Sequence, residues 1–192
     1  MANGTLKVSN IQTSSGSGTI TIGQSGETVD FSNGTATLNS GMKATPAFEA
    51  YQSAVQTGAG DATWTKLTMN TETFDTDSMY DASTNYRFTP TVAGKYFVYL
   101  MAGMYSETSN KMNVANVAIY KNGSSYKMTN TTFNSGSDIA NEHNAVVTAI
   151  IDFNGSSDYV EPYVRSNVTS GTSTLDARLA TGAFGAYRII GA

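Results

Sequence analysis

His143 is the single histidine in the chain, so a histidine-cluster metal site is excluded and any Ser-His-Asp arrangement would have to use this residue. It stands between Glu142 and Asn144 where a β-prone run begins, and a polar surface histidine at a strand entry is the expectation. Asp75, Asp77 and Asp81 fall within seven residues and could offer hard oxygen ligands to Ca²⁺. Their spacing lacks the glycine and the terminal glutamate of the EF-hand loop, and aspartates commonly cap turns by accepting nearby backbone N–H groups. Turn capping is therefore expected, with Ca²⁺ as the alternative and no cofactor otherwise. No Gly-x-Ser-x-Gly elbow, phosphate loop or dinucleotide fingerprint is present. With no cysteine there is neither a disulfide nor a thiolate ligand. The residues point away from catalysis and toward a binding or structural role. Trp64 and the tyrosines could stack on sugars, but a place in a core or interface is expected for Trp64.

The chain of 192 residues is 40% hydrophobic and only 14% charged, with a net charge of −4. Its eleven basic residues are scattered singly, which argues against a nucleic-acid partner. The most apolar run, Tyr96 to Tyr105, is about half of what a membrane span requires. MANGTLKVSN has no charged and apolar secretory pattern, so a soluble chain made in a cytoplasm is expected. The Asn-x-Ser/Thr triplets at Asn3, Asn33, Asn122, Asn130, Asn154 and Asn167 follow from a composition rich in Asn, Ser, Thr and Gly.

These residues must be held by sheet. Short β-rich runs separated by turn signals occupy 64–74, 95–104, 113–120, 126–133, 143–153, 159–164 and 184–190. Asn122-Gly123 suits the positive φ angles of a type I′ turn and predicts a hairpin; Asn154-Gly155 predicts a second. About eight strands at this spacing imply an all-β antiparallel sandwich, jelly roll or barrel. Aromatic residues begin near residue 45, which places the compact domain at 46–192 and an accessory segment at 1–45.

Three strands break the alternation expected of a sheet with one wet face. In KYFVYLMAGM, Tyr96, Val98 and Leu100 oppose Phe97, Tyr99 and Met101. In AVVTAII, Ala145, Val147, Ala149 and Ile151 oppose Val146 and Ile150. In FGAYRII, Phe184, Ala186 and Ile190 oppose Tyr187 and Ile189. A sheet apolar on both faces must bury both, and a partner molecule is expected on the second. The interface set is Phe97, Tyr99, Met101, Val146, Ile150, Tyr187 and Ile189. A one-residue slip of phase would exchange it with Tyr96, Val98, Leu100, Val147, Ile151, Phe184 and Ile190.

Phe88, Pro90, Ala93, Gly94, Tyr96 and Val98, followed by VAIYKNG, GSSDYVEPYVRSN and AFGAYRII, resemble in order the motifs of the C1q/TNF-like jelly-roll superfamily. The resemblance spans 46–192 and implies a homotrimer, with the three double-faced strands in the inner sheet around a threefold axis. No Gly-X-Y collagen run precedes the domain.

The segment from Ser9 to Gly41 is similar to leader and shaft sequences of bacteriophage virion proteins and carries glycines at 18, 26 and 34. Its apolar residues alternate within each unit, Ile20 with Ile22, Val29 with Phe31, and Ala36 with Leu38. This pattern predicts a short β-rich attachment stem, with Ile20, Ile22, Val29, Phe31 and Leu38 contacting capsid or tail proteins. The expectation is a non-enzymatic trimeric knob on a virion surface, with capsid decoration or cement favoured over a short tail or head fibre carrying a receptor-binding knob. A host-surface receptor is a further expected partner. The alternative of a different class is a secreted C1q-like binding module.

Overall fold

The computed structural model describes residues 45–58, 61–108, 111–133 and 140–189. The attachment residues Ile20, Ile22, Val29, Phe31 and Leu38, and Ile190, lie outside them. Contacts along the chain set off a compact unit from Ala44 to Ala192.

That unit is built from antiparallel strands: β1 (Ala47–Tyr51), β2 (Gln56–Gly58), β3 (Asp61–Lys66), β4 (Thr71–Asp75), β5 (Tyr80–Asp81), β6 (Arg87–Phe88), β7 (Gly94–Ser106), β8 (Met112–Lys121), β9 (Ser124–Met128), β10 (Glu142–Phe153), β11 (Val160–Val168), β12 (Ser173–Asp176) and β13 (Ala183–Arg188). They form two sheets. In the first, β7 pairs with β10 along one edge and with β13 and β12 along the other; β1 and β4 continue beyond β13, and β2 beyond β12. In the second, β11 is flanked by β8 and β9 on one side and by β3 and β6 on the other, with β5 beyond β6. The two-sheet jelly roll matches the architecture expected from the strand spacing.

Side-chain alternation decides what fills the space between the sheets. Phe48 lies at the centre of an aromatic cluster, stacked on Tyr80 and Phe88 at 4.6 and 4.5 Å and edge-on to Phe184 at 5.2 Å. Tyr96 and Phe153 meet edge-on at 5.0 Å beside it. The two tyrosines in this core each spend their hydroxyl on a carbonyl: Tyr80 donates to Met69 O at 2.9 Å and Tyr96 to Val92 O at 2.7 Å. Burial raises the Tyr80 phenol well above its ordinary range and that of Tyr96 to about 12. Ser166 on β11 and Ser173 on β12 share a buried hydrogen bond of 2.6 Å that ties one sheet to the other.

Asn122 and Gly123 take φ values of 51° and 78°, the two successive positive angles of the expected β8–β9 turn. The second expected hairpin is corrected. β10 pairs with β7, β11 pairs with β8, and the chain changes sheet between them. Asn154 is used as a local cap: its Oδ1 accepts the N–H groups of Ser156, Ser157 and Asp158 at 2.9, 3.0 and 3.1 Å. Such a loop turns the chain away from its own strand rather than back along it. The run 64–74 is likewise two strands, because Leu67 and Met69 turn into the core as the chain crosses from β3 to β4. The slip of phase between Trp64 and Leu67 is the trace of that crossing.

Asp176, only 1% exposed, holds the β12–β13 turn by accepting from Arg178 Nε, Arg178 Nη2 and Thr181 Oγ1 at 3.0, 2.8 and 2.7 Å. The hydrogen bonds from Arg178 lower its pKa from 3.8 to about 2. Because the folded-state value is depressed, this stabilisation is present above about pH 4 and lost as pH falls toward 2. Thermal melts of Asp176→Asn should therefore lose less stability than wild type between these limits. Removing the central ring in Phe48→Ala should cost about 3–5 kcal/mol in denaturant unfolding.

Candidate interaction face

The outer face of the first sheet is assembled by register, since residues directly opposite in an antiparallel pair share a face. Ile150, Phe97, Tyr187 and Ala47 form one cross-strand row. Thr148, Tyr99, Gly185, Glu49 and Phe74 form the next, and Val146, Met101 and Ala183 a third. Phe97 lies 5.4 Å from the Tyr187 ring and 6.2 Å from that of Tyr99. Val146, Ile150 and Tyr187 are 56%, 58% and 50% exposed, whereas Val98, Leu100 and Ile151, from the same strands but pointing inward, are fully buried. The strand phase is thus the one that sends Phe97, Tyr99, Met101, Val146, Ile150 and Tyr187 outward. Ile189, half-buried just after β13, follows the alternation of Tyr187.

Polar groups border this apolar field. At one end Lys95 pairs with Asp152 at 2.8 Å; at the other Asn144 lies opposite Gly103. One carboxylate stands within it. Glu49 accepts a 2.6 Å hydrogen bond from the Tyr99 hydroxyl, and desolvation followed by that bond raises the Tyr99 phenol well above its usual range. Tyr99 reaches Glu49 by lying across β13 at Gly185, where a Cβ would overlap the Tyr99 hydroxyl and ring. Glycine is needed there for a close approach rather than for a special φ.

β10 pairs with another strand on one edge alone among the described residues, that strand being β7. Beside its other edge a groove of about 450 Å³ is lined by Phe97, Thr148, Ala149, Ile150, Tyr126 and Lys127. Tyr126 donates across it to Ile150 O at 3.3 Å. Glu49, Gly185, Phe74 and Tyr126 were not among the residues read from sequence. A lone glycine within an apolar strand was the signal available for Gly185; the others depend on pairing partners distant in the chain.

The remaining candidates are placed elsewhere. Asp75 accepts from Tyr80 N and Asp77 N at 2.8 and 3.3 Å, and Asp81 from Ser83 N, Thr84 N and Asn85 N at 3.0, 2.9 and 3.0 Å. The backbone bonds of this loop hold the Asp81 carboxyl far below its usual range. Asp75 and Asp81 thus cap turns, and among the described residues no group of three metal-binding side chains forms. His143 lies edge-on to Phe133 at 5.4 Å. Of the two places expected for Trp64, core or interface, it does not take the core: it stands half-buried on the outer side of the second sheet, 6.0 Å from Tyr120 and under the Arg165 guanidinium at 5.3 Å. β3 is a strand of that sheet, paired with β11, and its outward tryptophan is held by its neighbours' ring and cation.

No family model and no curated protein matches the chain in sequence. Solved structures match it in fold. The crystal structure of murine APRIL at pH 5.0 superposes with a TM-score of 0.55 at 7% identity, covering 76% of this chain and 99% of that one. Eiger TNF from S. frugiperda superposes with a TM-score of 0.52 at 12% identity, covering 77% and 93%. The globular domain of zebrafish complement 1qA covers 76% of this chain at a TM-score of 0.42, too low to add weight. At such identities the likeness speaks for architecture: the described domain has the TNF-like jelly-roll fold.

A methyl group at position 185 should displace the Tyr99 ring while leaving the core intact. Alkaline ultraviolet titration of Gly185→Ala should therefore show one tyrosine ionising at lower pH than in wild type, and Tyr99→Phe should remove that step.

Proposed function

We propose that the chain is a non-enzymatic, self-associating module in which the outer face of the first sheet is buried between copies, three around an axis. The observation that carries this reading is the apolar field of Phe97, Tyr99, Met101, Val146, Ile150 and Tyr187, half-exposed on a sheet whose opposite face already packs a complete core. Burying the exposed halves of Val146, Ile150 and Tyr187 contributes roughly 1 kcal/mol each per copy. A closed symmetric assembly repeats that gain in every protomer. The polar ends of the field and its apolar centre fit the rim and core of a protein interface. The resemblance of residues 46–192 to the C1q/TNF-like superfamily supports three as the number of copies.

The finer reading is a bacteriophage virion surface protein, made in the host cytoplasm and attached through residues 1–45, with capsid decoration favoured over a short fibre that engages a host receptor. Its support is the likeness of the Gly18–Gly41 stretch and its flanks to virion leader and shaft sequences. A secreted C1q-like binding module draws on the same fold and is separated from it by location. Antibody labelling of purified particles seen by electron microscopy should mark the capsid; label on the tail alone would replace decoration by a fibre role, and unlabelled particles would favour the secreted module.

Self-association has its own measurement. Sedimentation of wild type at micromolar concentration should give a trimer, and Ile150→Asp a folded monomer, since the assembly would bury an unpaired carboxylate three times at several kcal/mol each. A wild-type monomer would refute the reading.

A further inference from the structure

The β4–β5 loop, the β5–β6 connection and the segment after β6 line an open cavity of about 350 Å³, within the range that holds small molecules. It lies at the edge of the second sheet, and its lining residues are other than those of the interaction face. Two non-glycine residues with left-handed backbone flank it: Ser78, in the wall, has φ 55°, and Tyr86, between the lining residues Asn85 and Arg87, has φ 49°. Such conformations are strained and persist where surrounding structure enforces them.

The polar groups of the wall divide into spent and unspent. Asp81 is spent, because its carboxylate takes the backbone N–H groups of residues 83–85, the Ser83 hydroxyl and the Asn85 amide. Arg87 is not. Among the described residues its guanidinium has neither a hydrogen-bond nor an ion-pair partner, and it rests on the Tyr159 ring at 4.5 Å. That contact covers one face of the guanidinium, and Arg87 is among the residues lining the cavity. Asp77 accepts only a 3.3 Å bond from Thr76 Oγ1, and Ser78 and Thr89 add hydroxyls, while Thr91 Oγ1 donates to Met79 Sδ at 3.9 Å. The Met79 thioether, held by the Thr91 N–H at 3.4 Å, supplies an apolar wall.

The charges select the ligand class. An anion drawn to Arg87 would meet the carboxylates of Asp77 and Asp81, and a divalent cation drawn to Asp77 would meet Arg87. A neutral polyol satisfies both, since each hydroxyl donates to a carboxylate and accepts from a guanidinium. We infer that this cavity is a binding site for a neutral carbohydrate, with Arg87 and Asp77 as its paired donor and acceptor. The inference does not require self-association, and a monomeric chain would bind equally.

Saturation-transfer NMR on the full chain tests it, with methyl pyranosides of glucose, galactose, mannose and N-acetylglucosamine as probes. At least one should receive saturation from wild type, and Arg87→Gln and Asp77→Asn should each weaken its binding by about tenfold or more, as for loss of a charge-assisted hydrogen bond. Thr89→Val, which keeps the shape of the wall, should weaken the same sugar while the unfolding midpoint stays at the wild-type value. Absence of transfer to every probe from folded wild type would overturn the assignment, as would binding that survives both charge substitutions. Inorganic phosphate bound through Arg87 and strengthened by Asp77→Asn would replace the sugar site with an anion site.

Discussion

Strand β7 sends Tyr96, Val98 and Leu100 into the space between the sheets and Phe97, Tyr99 and Met101 to the opposite side, while hydrogen-bonding to β10 along one edge and to β13 and β12 along the other. Because the side-chain period of a strand is two, one of these sets cannot be buried without presenting the other. β10 and β13 repeat the pattern in register with it, so the outward residues form continuous rows rather than scattered apolar points. The core, the interaction face and the phase that separates them all rest on this single central strand.

The two outer faces of the sandwich answer to water differently. On the second sheet the aromatics are covered by cations and one another: Tyr120 stacks on Tyr163 at 4.0 Å, Arg165 lies over Trp64, and Lys66 pairs with Glu161 at 2.7 Å. Arginine and lysine stems cover apolar surface while their charged heads reach solvent, so such a face is compatible with exposure. On the first sheet the charged pair Lys95–Asp152 stands at the end of the field, and Glu49 within it is engaged by Tyr99. That difference, more than the number of aromatic residues on each side, marks the first sheet as the one suited to a partner.

Much of the fold was legible in the chain. The double apolarity of KYFVYLMAGM, AVVTAII and FGAYRII, and the positive-φ turn at Asn122-Gly123, depend on local spacing and residue type, and each is realised. Asn154-Gly155 shows the limit of this reasoning. The same dipeptide that closes one hairpin here caps a loop between sheets, because β11 finds its partner in β8, more than thirty residues earlier. Core and interface both stayed open for Trp64 for a related reason: alternation tells that residues oppose one another, but not which face of an unplaced strand is inside.

Sequence alone determined that the domain is an antiparallel sandwich, that three of its strands are apolar on both sides, and that no cysteine or histidine cluster performs chemistry. These are properties of composition and of period two, which survive any arrangement of the strands. Tertiary structure decided that the three strands are neighbours, that Tyr99 crosses Gly185 to reach Glu49, and that Arg87 is left with Tyr159 beneath it and a cavity before it. Those contacts join residues 49, 99 and 185, or 87 and 159, whose proximity is produced by strand pairing and has no counterpart in local spacing.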